Sequence, residues 1–475
     1  MDGRDELTMN FKANRREASM TTRNLFFIIL FVNFFTLWTG CSDDKKSGPT
    51  GSANSCVGCH TNYDKLKEIA SPDTAVDGGG CGGDAPHIEP YDRVYMGGAG
   101  FEAFSNSTHG GLECTVCHNG TDDTGDKTLA HSGDFIRHPS MAASEKCGTC
   151  HADIVSRTSN SLHANGWGQK SMVTLRSGVT VYDQISEQMK AGYEKNCAKC
   201  HATCGDCHVN RPKAGGGGLY KGHQFANKPS MQDNCTACHT SRIGHAYYGI
   251  ASGTIPDVHL SAEGFTCISC HSKNEIHGDG VVYDQRYKMA LKPDCVDCHT
   301  NIQSSNTYHS MHINSFNCQT CHSQDYNNCG SCHIGGEGAR IAAYQGFKIA
   351  RNPIPDTKPY PLATVRRSLM APDSWSLYGT ATLADFNVRP TFKYTTPHNI
   401  KRWTTRTQVA DGKSCYDNCH IINEDGVFRN KELYLFNSDL TQTWEIDANQ
   451  NIIVDGHLPS GWGLSKNVPT NLKEK

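Results

Sequence analysis

The stretch Cys197 to His208, CAKCHATCGDCH, places four thiols and two imidazoles in twelve residues. It reads as two C-x-x-C-H units separated by Ala202 and Thr203. The first is Cys197/Cys200/His201 and the second Cys204/Cys207/His208. Working outward, the same unit recurs towards the amino terminus at Cys56/Cys59/His60, Cys114/Cys117/His118 and Cys147/Cys150/His151. Towards the carboxy terminus it recurs at Cys235/Cys238/His239, Cys267/Cys270/His271, Cys295/Cys298/His299, Cys318/Cys321/His322 and Cys329/Cys332/His333. An eleventh site, Cys415/Cys419/His420, has one extra residue between its thiols. At 24 His in 475 residues, chance would put a His behind about half of one of the ten shorter pairs, yet all ten have one.

Adjacent thiols followed at once by His are the attachment pattern of c-type haem. The short spacer lets both sulfurs bond the porphyrin vinyl groups while the next residue reaches the iron. Zinc knuckles use paired C-x-x-C without an obligatory following His. Thioredoxin-like redox motifs occur singly on an α/β scaffold. The expectation is about eleven haem c groups per chain, ten on C-x-x-C-H and one on C-x-x-x-C-H. His60, His118, His151, His201, His208, His239, His271, His299, His322, His333 and His420 are the expected proximal ligands.

Thirteen His remain as candidate distal ligands: His87, His109, His131, His138, His163, His223, His245, His259, His277, His309, His312, His398 and His457. Thirteen for eleven irons permits paired imidazoles throughout, and such low-spin centres relay electrons without an open coordination position. His109, His138, His259, His309 and His312 shortly precede Cys114, Cys147, Cys267 and Cys318, where a short loop could fold each ring over the next haem. His398 is the candidate partner for the iron of His420. For each the alternative is an unliganded surface or loop His.

Composition agrees. Apolar residues make up only 37% of the chain, with 46 Gly and 18 Pro, too few to fill ordinary cores for 475 residues. A net charge of -3 with 20% charged residues fits neither a disordered polyelectrolyte nor a nucleic-acid binder with a basic face. Ten motifs within residues 56–333 leave no room for aliphatic packing between cofactors, so the porphyrins must serve as the core. The expected fold is a multihaem cytochrome c: mostly short α-helices and irregular loops packed around haems, with few β-strands. Residues 334–475, with one motif, read as a small β-containing carboxy-terminal lobe in which Leu433–Phe436 and Asn451–Val454 resemble short strands. The two haems of the twin motif are expected almost in contact.

The amino terminus predicts export. Leu25 to Trp38 is a fourteen-residue apolar run, too short to cross a bilayer but sized for a signal peptide. Met20 is the better start for it, since residues 1–19 carry several acidic groups. Leu37-Trp38-Thr39-Gly40-Cys41 resembles a bacterial lipoprotein processing site, which implies lipidation of Cys41; the alternative is a plain signal anchor with Cys41 unmodified. Residues 1–40 are then the signal peptide, 41–55 a flexible tether on the lipid anchor, 56–333 the ten-haem core and 334–475 the last lobe. Cys81, in a Gly-rich run, could form an intermolecular disulfide, ligate something, or stay an unpaired loop thiol.

The motif set resembles the multihaem c-type cytochromes of metal- and sulfur-compound-respiring bacteria. CAKCHATCGDCH, DVHLSAEGFTCISCH and NCQTCHSQDYNNCGSCH are similar to the octahaem tetrathionate reductase-like group. Eleven motifs instead of eight, and an apparent lipid anchor, favour outer-membrane lipoprotein cytochromes that resemble parts of porin–cytochrome conduits. The resemblance implies respiratory electron transfer at the outer membrane, facing the periplasm or the exterior. Implied partners are other redox proteins, a porin-type conduit or an extracellular metal oxide, with the membrane touched only through the lipid. Two other functions stay open: a terminal reductase of a small sulfur or nitrogen oxyanion, and a filament-forming cytochrome subunit.

Overall fold

A C-x-x-C-H segment gains from one helical turn, because residues at i, i+3 and i+4 share a helix face. The computed structural model describes residues 52–72, 87–250, 254–325, 346–368, 370–408, 421–424, 427–430 and 433–458. Every motif inside these ranges lies on or against a short helical turn. α-Helices cover Cys56–His60, Cys114–His118, Cys204–His208, Thr236–Cys238, Cys267–Cys270 and Gln319–His322. Cys147 caps the helix Gly148–Ser159, and 3-10 turns hold Ala198–Cys200 and Cys295–Asp297.

These helices are too short to be stable alone, so local capping matters. The Ser55 hydroxyl accepts from Gly58 N, satisfying a free amide at the first motif. Thr203 and Asp206, Thr266 and Ser269, and Asp294 and Asp297 close reciprocal boxes around the starts of three others. The polar residues in and just before the motifs thus fix the turn that aims the thiols.

Strands β1 (Phe347–Arg351), β2 (Leu362–Arg367) and β3 (Phe392–Tyr394) form one antiparallel sheet in sequence order. Phe347 pairs with Arg366 and Val365 with Tyr394. A two-stranded hairpin, β4 (Ile421–Glu424) with β5 (Val427–Asn430), is the other sheet. The segments expected as strands, Leu433–Phe436 and Asn451–Val454, are not strands. They lie beside β1 without a continuous ladder: Leu433 and Leu435 bracket Ile349 in one isolated bridge, at 2.8 and 2.9 Å, and Arg351 N donates to Ile452 O at 2.9 Å. Their apolar runs are buried against the sheet, so hydrophobicity without a continuous ladder produced the strand-like pattern.

Two apolar cores stand out among the described residues. One joins Ala350, Val365, Phe392, Leu435, Leu440 and Ile452 under the sheet. The other packs Val173, Met189 and Tyr193 against Met370, Trp375, Leu383 and Phe386 from residues well beyond the tenth motif. Trp375 is wholly buried and donates from its indole to Met189 O at 3.1 Å. Gly192 makes this approach possible, since a Cβ there would stand 2.6 Å from the Trp375 Nε1. Burial of a large apolar side chain contributes about 1.5–3 kcal/mol. All the described residues fall in one compact unit, Thr50–Lys475. Among the described residues no helix is long and apolar enough to cross a membrane. The apolar run before Cys41, Cys41 itself and Cys81 lie outside the described residues, as do Cys329, Cys332, His333, Cys415, Cys419 and His420.

Candidate functional site

The described motifs, one excepted, present their imidazoles to other imidazoles. His60 faces His131, His118 faces His223, His151 faces His109 and His208 faces His277. His239 faces His163, His271 faces His398, His299 faces His259 and His322 faces His309. Each of the eight pairs joins one motif His to one non-motif His, with ring centroids 5.9 to 6.3 Å apart. Two metal–imidazole bonds of about 2.0–2.1 Å, plus the depth of each ring, need a centroid separation of about 6 Å. The spacing suits a metal atom between the rings.

Hydrogen bonds aim the rings. Nδ1 donates to Val94 O from His60 (3.0 Å), to Ile136 O from His118 (2.9 Å), to Ala226 O from His208 (2.7 Å) and to Lys401 O from His322 (3.0 Å). His271 Nδ1 donates to the Glu275 carboxylate at 2.9 Å. On the opposing side, His131 Nδ1 donates to Lys127 O at 2.7 Å and His259 Nδ1 to Asp257 Oδ1 at 2.9 Å. Holding the proton on Nδ1 leaves the Nε2 lone pair for the partner side, the arrangement usual behind metal-ligating His. Burial pushes His223, His239 and His398 down to about 4, so these rings are neutral at neutral pH.

Pairing does not follow sequence proximity. His109 serves the motif after the one it precedes, and His259 likewise skips the next motif. His309 does face the motif it precedes. His398, expected opposite His420, instead faces His271. Five candidates have no motif imidazole opposite them in these pairs. His87 meets Glu89 at 3.2 Å and His457 meets Arg351 at 3.2 Å. His312 is anchored through Nδ1 to Tyr308 O at 2.9 Å, His138 lies beside Arg137 and Asp206, and His245 starts the helix His245–Tyr248.

The thiols order the motifs in space. The described cysteines from Cys56 to Cys318 are free thiols. Cys56 lies beside Cys114, Cys147 beside Cys204, Cys235 beside Cys267 and Cys295 beside Cys318, thiol acting on thiol. In each case the first cysteine of one motif meets the first of another. Between these contacts, Cys117 acts electrostatically on Cys147, Cys235 on Cys207 and Cys298 on Cys270. Contact and longer approach alternate along one line of eight motifs, from Cys56/Cys59 to Cys318/Cys321. The line passes from Cys147/Cys150 directly to Cys204/Cys207 and leaves out Cys197/Cys200. That motif touches the line elsewhere, through Cys200 and Cys238, second cysteine to second cysteine. Both halves of the twin motif adjoin Cys235/Cys238, Cys207 through Cys235 and Cys200 through Cys238.

Two of the expected attachment thiols, Cys59 and Cys150, differ from this pattern. Cys59 Sγ is turned to Ala53 O, 3.9 Å away. Cys150 is exposed, and its Sγ accepts from Thr149 Oγ1 at 4.0 Å. Neither lines the large cavity among the motifs, and nor do Cys56, Cys114, Cys117, Cys147, Cys197 and Cys204. The cause of the two contacts is local: the helix Cys56–His60 starts against Ser52 and Ala53, and Thr149 sits immediately before Cys150. Sulfur is a weak donor and acceptor, so a turn about χ1 would free either thiol.

A cavity of about 2930 Å³ runs among the motifs from Cys200 to His322, well beyond the 300–1,000 Å³ of an ordinary ligand pocket. Its walls carry Arg286, Lys292, Lys358, Lys401 and Arg402. Burial, then Lys358 and Arg286, push Lys292 down to about 8. Burial, then Arg176, Arg286 and Arg389, push Lys393 down to about 7. Lys358 pairs with Asp294 at 2.8 Å, and Asp257, Glu263, Glu275 and Asp297 share the same walls. Among the described residues no group of three or more His, Cys, Asp or Glu side chains is arranged to hold a bare metal ion. Paired imidazoles, thiol pairs beside them and a wide cavity together fit flat macrocycles. The signal that sequence reasoning missed is the charged lining, which has no spacing pattern. No family model matches the chain, and neither a curated protein nor a solved structure matches it.

Proposed function

We propose that the chain is a multihaem c-type cytochrome that conducts electrons along a line of haems held by paired imidazoles. The observation that carries the proposal is the set of eight motif-to-non-motif imidazole pairs near 6 Å. The motif cysteines would hold each haem by thioether bonds, and the paired His residues would supply both axial nitrogens. When bound, haem supplies one-electron redox chemistry near constant geometry. The chain's own residues keep the ligating rings neutral, oriented and shielded. Alternating contacts between motifs support through-chain transfer, with Cys56/Cys59 at one end and Cys318/Cys321 at the other among the described motifs.

Export, the lipid on Cys41, and partners among outer-membrane redox proteins, a porin-type conduit or a metal oxide belong to the same proposal. The test is haem per chain in the exported protein, by pyridine haemochrome and intact mass. A value near eleven, with mainly low-spin ferric signals in electron paramagnetic resonance, is expected. A colourless chain, or one with only a few haems, would sink the proposal.

A further inference from the structure

The supports behind the paired rings are not all alike. Nδ1 of His60, His118, His208, His322 and His131 donates to backbone carbonyl oxygens. His259 and His271 donate instead to carboxylates, Asp257 Oδ1 at 2.9 Å and Glu275 Oε2 at 2.9 Å. His271 belongs to the seventh motif, and His259 faces His299 of the eighth. These two motifs are neighbours in the line, where Cys298 acts on Cys270.

Both carboxylates are held in place. Asp257 is 2% exposed; its Oδ1 also accepts from His259 N at 2.8 Å and its Oδ2 from Ile400 N at 2.6 Å. Val258 N donates back to Ile400 O at 2.9 Å, two residues beyond His398, the ring that faces His271. Neither oxygen of Asp257 can turn away without breaking a bond to the backbone. Glu275 lies one turn beyond His271, on the helix Lys273–His277, with its amide bonded to the Ser272 hydroxyl at 3.2 Å. Both its oxygens stand close to His271 Nδ1, at 2.9 and 3.1 Å.

A carboxylate behind Nδ1–H raises the basicity of the imidazole as a metal ligand. Ferric haem iron carries one more positive charge than ferrous. A stronger nitrogen donor and a fixed anion nearby therefore both favour the oxidised form, and hydrogen bonding and burial around the ligands are among the levers a protein has on haem potential. Low local dielectric strengthens the charge part. Arg286, which acts on His398, and Lys292, which feels Glu275, offset some of this field at the seventh motif.

Resting on the haem reading above, we infer that Asp257 and Glu275 are positioning residues that hold the eighth and seventh haems at the lowest potentials of the line. Electrons then settle on the haems to either side, at Cys235/Cys238 and at Cys318/Cys321. The seventh and eighth form a step that electrons cross without resting.

The test uses the full exported protein, with film voltammetry for potentials, and haem content and low-spin electron paramagnetic resonance for loading and ligation. Asp257→Asn keeps an acceptor oxygen and removes the charge. One low-potential component should move positive, its reduced-to-oxidised ratio at a fixed potential rising about tenfold, or about 59 mV for one electron. Glu275→Gln should do the same to a second low-potential component, and the double variant should move both, with haem content and the low-spin signals kept. Asp257→Glu, which keeps the charge, should leave its component low. Unmoved low-potential components in a fully loaded single variant overturn the inference, and so does a uniform shift of every component. Should Asp257→Asn fail to accumulate, Glu275→Gln decides by the same two criteria. Failure of the underlying haem reading looks different, because the wild-type chain then shows no haem components at all.

Discussion

His271 and His398 face each other with ring centroids 6.3 Å apart and planes 21° from parallel, although one belongs to the seventh motif and the other lies beyond the sheet strand β3. The pairing ties the carboxy-terminal part of the chain directly into the line of motifs. His398 Nδ1 is buried without a hydrogen-bond partner, so the ring is fixed by packing and by whatever its Nε2 meets. His398→Met should raise the potential of one haem by more than about 100 mV, a fraction of the ~0.8 V that axial ligands command. Film voltammetry should show that one component moving positive while the others stay.

Acid should loosen the ligand set over a defined window. His223, His239 and His398 are pushed down to about 4 by burial, against about 6.5 in an unfolded chain. Between those values the unfolded chain takes up protons that the fold refuses, so stability is full above pH ~6.5 and falls as pH drops towards ~4. Denaturant midpoints followed by low-spin absorption from pH 7 to 4 should decline, and a rise on acidification would contradict the assignment.

Arg367 and Glu445 form an ion pair at 2.5 Å, with side chains 3% and 0% exposed. Thr391 Oγ1 donates to the same carboxylate at 2.9 Å, binding β2, β3 and the helix Thr443–Asn449 together. Removing one partner of a buried pair costs about 3–5 kcal/mol. Glu445→Ala should lower the chemical-denaturation stability of the sheet region by that amount, while the haem content per chain stays unchanged.

Loss of one motif should have a position-dependent effect. Cys235→Ala/Cys238→Ala interrupts the line, whereas Cys197→Ala/Cys200→Ala removes only the branch. Stopped-flow reduction should slow sharply for the first variant in haems beyond the break and stay near wild type for the second. Equal slowing in both would remove the branched order.

The attachment motifs were legible in sequence because helical geometry ties Cys, Cys and His to fixed offsets, and each described motif does sit on a helical turn. Which thiols meet was not legible, as the approach of Cys200 to Cys238 shows. The supply of spare His was legible as a number, but the partners were not. His309 opposite His322 follows local order, whereas His163 opposite His239 and His398 opposite His271 depend on tertiary folding that no spacing encodes. The sheet was anticipated in kind and misplaced in position. Lys348, Arg351, Arg366 and Arg367 make β1 and β2 look polar, yet burial of Arg366 and Arg367 behind the sheet is what the structure requires. The exception at His201, whose Nε2 meets the Tyr193 hydroxyl at 2.8 Å, was invisible, since its motif letters match those of its neighbours.

The crossing of ligands between distant segments also sets a timetable for maturation. On the proposed loading, a chain entering its compartment amino terminus first would expose His118 before His223 arrives, His208 before His277, and His271 before His398. Each such iron would wait, half-dressed, for a later part of the same molecule. A truncated product ending before His398 would keep one of them permanently bare, so completeness of the chain becomes a chemical property that peroxide could sense.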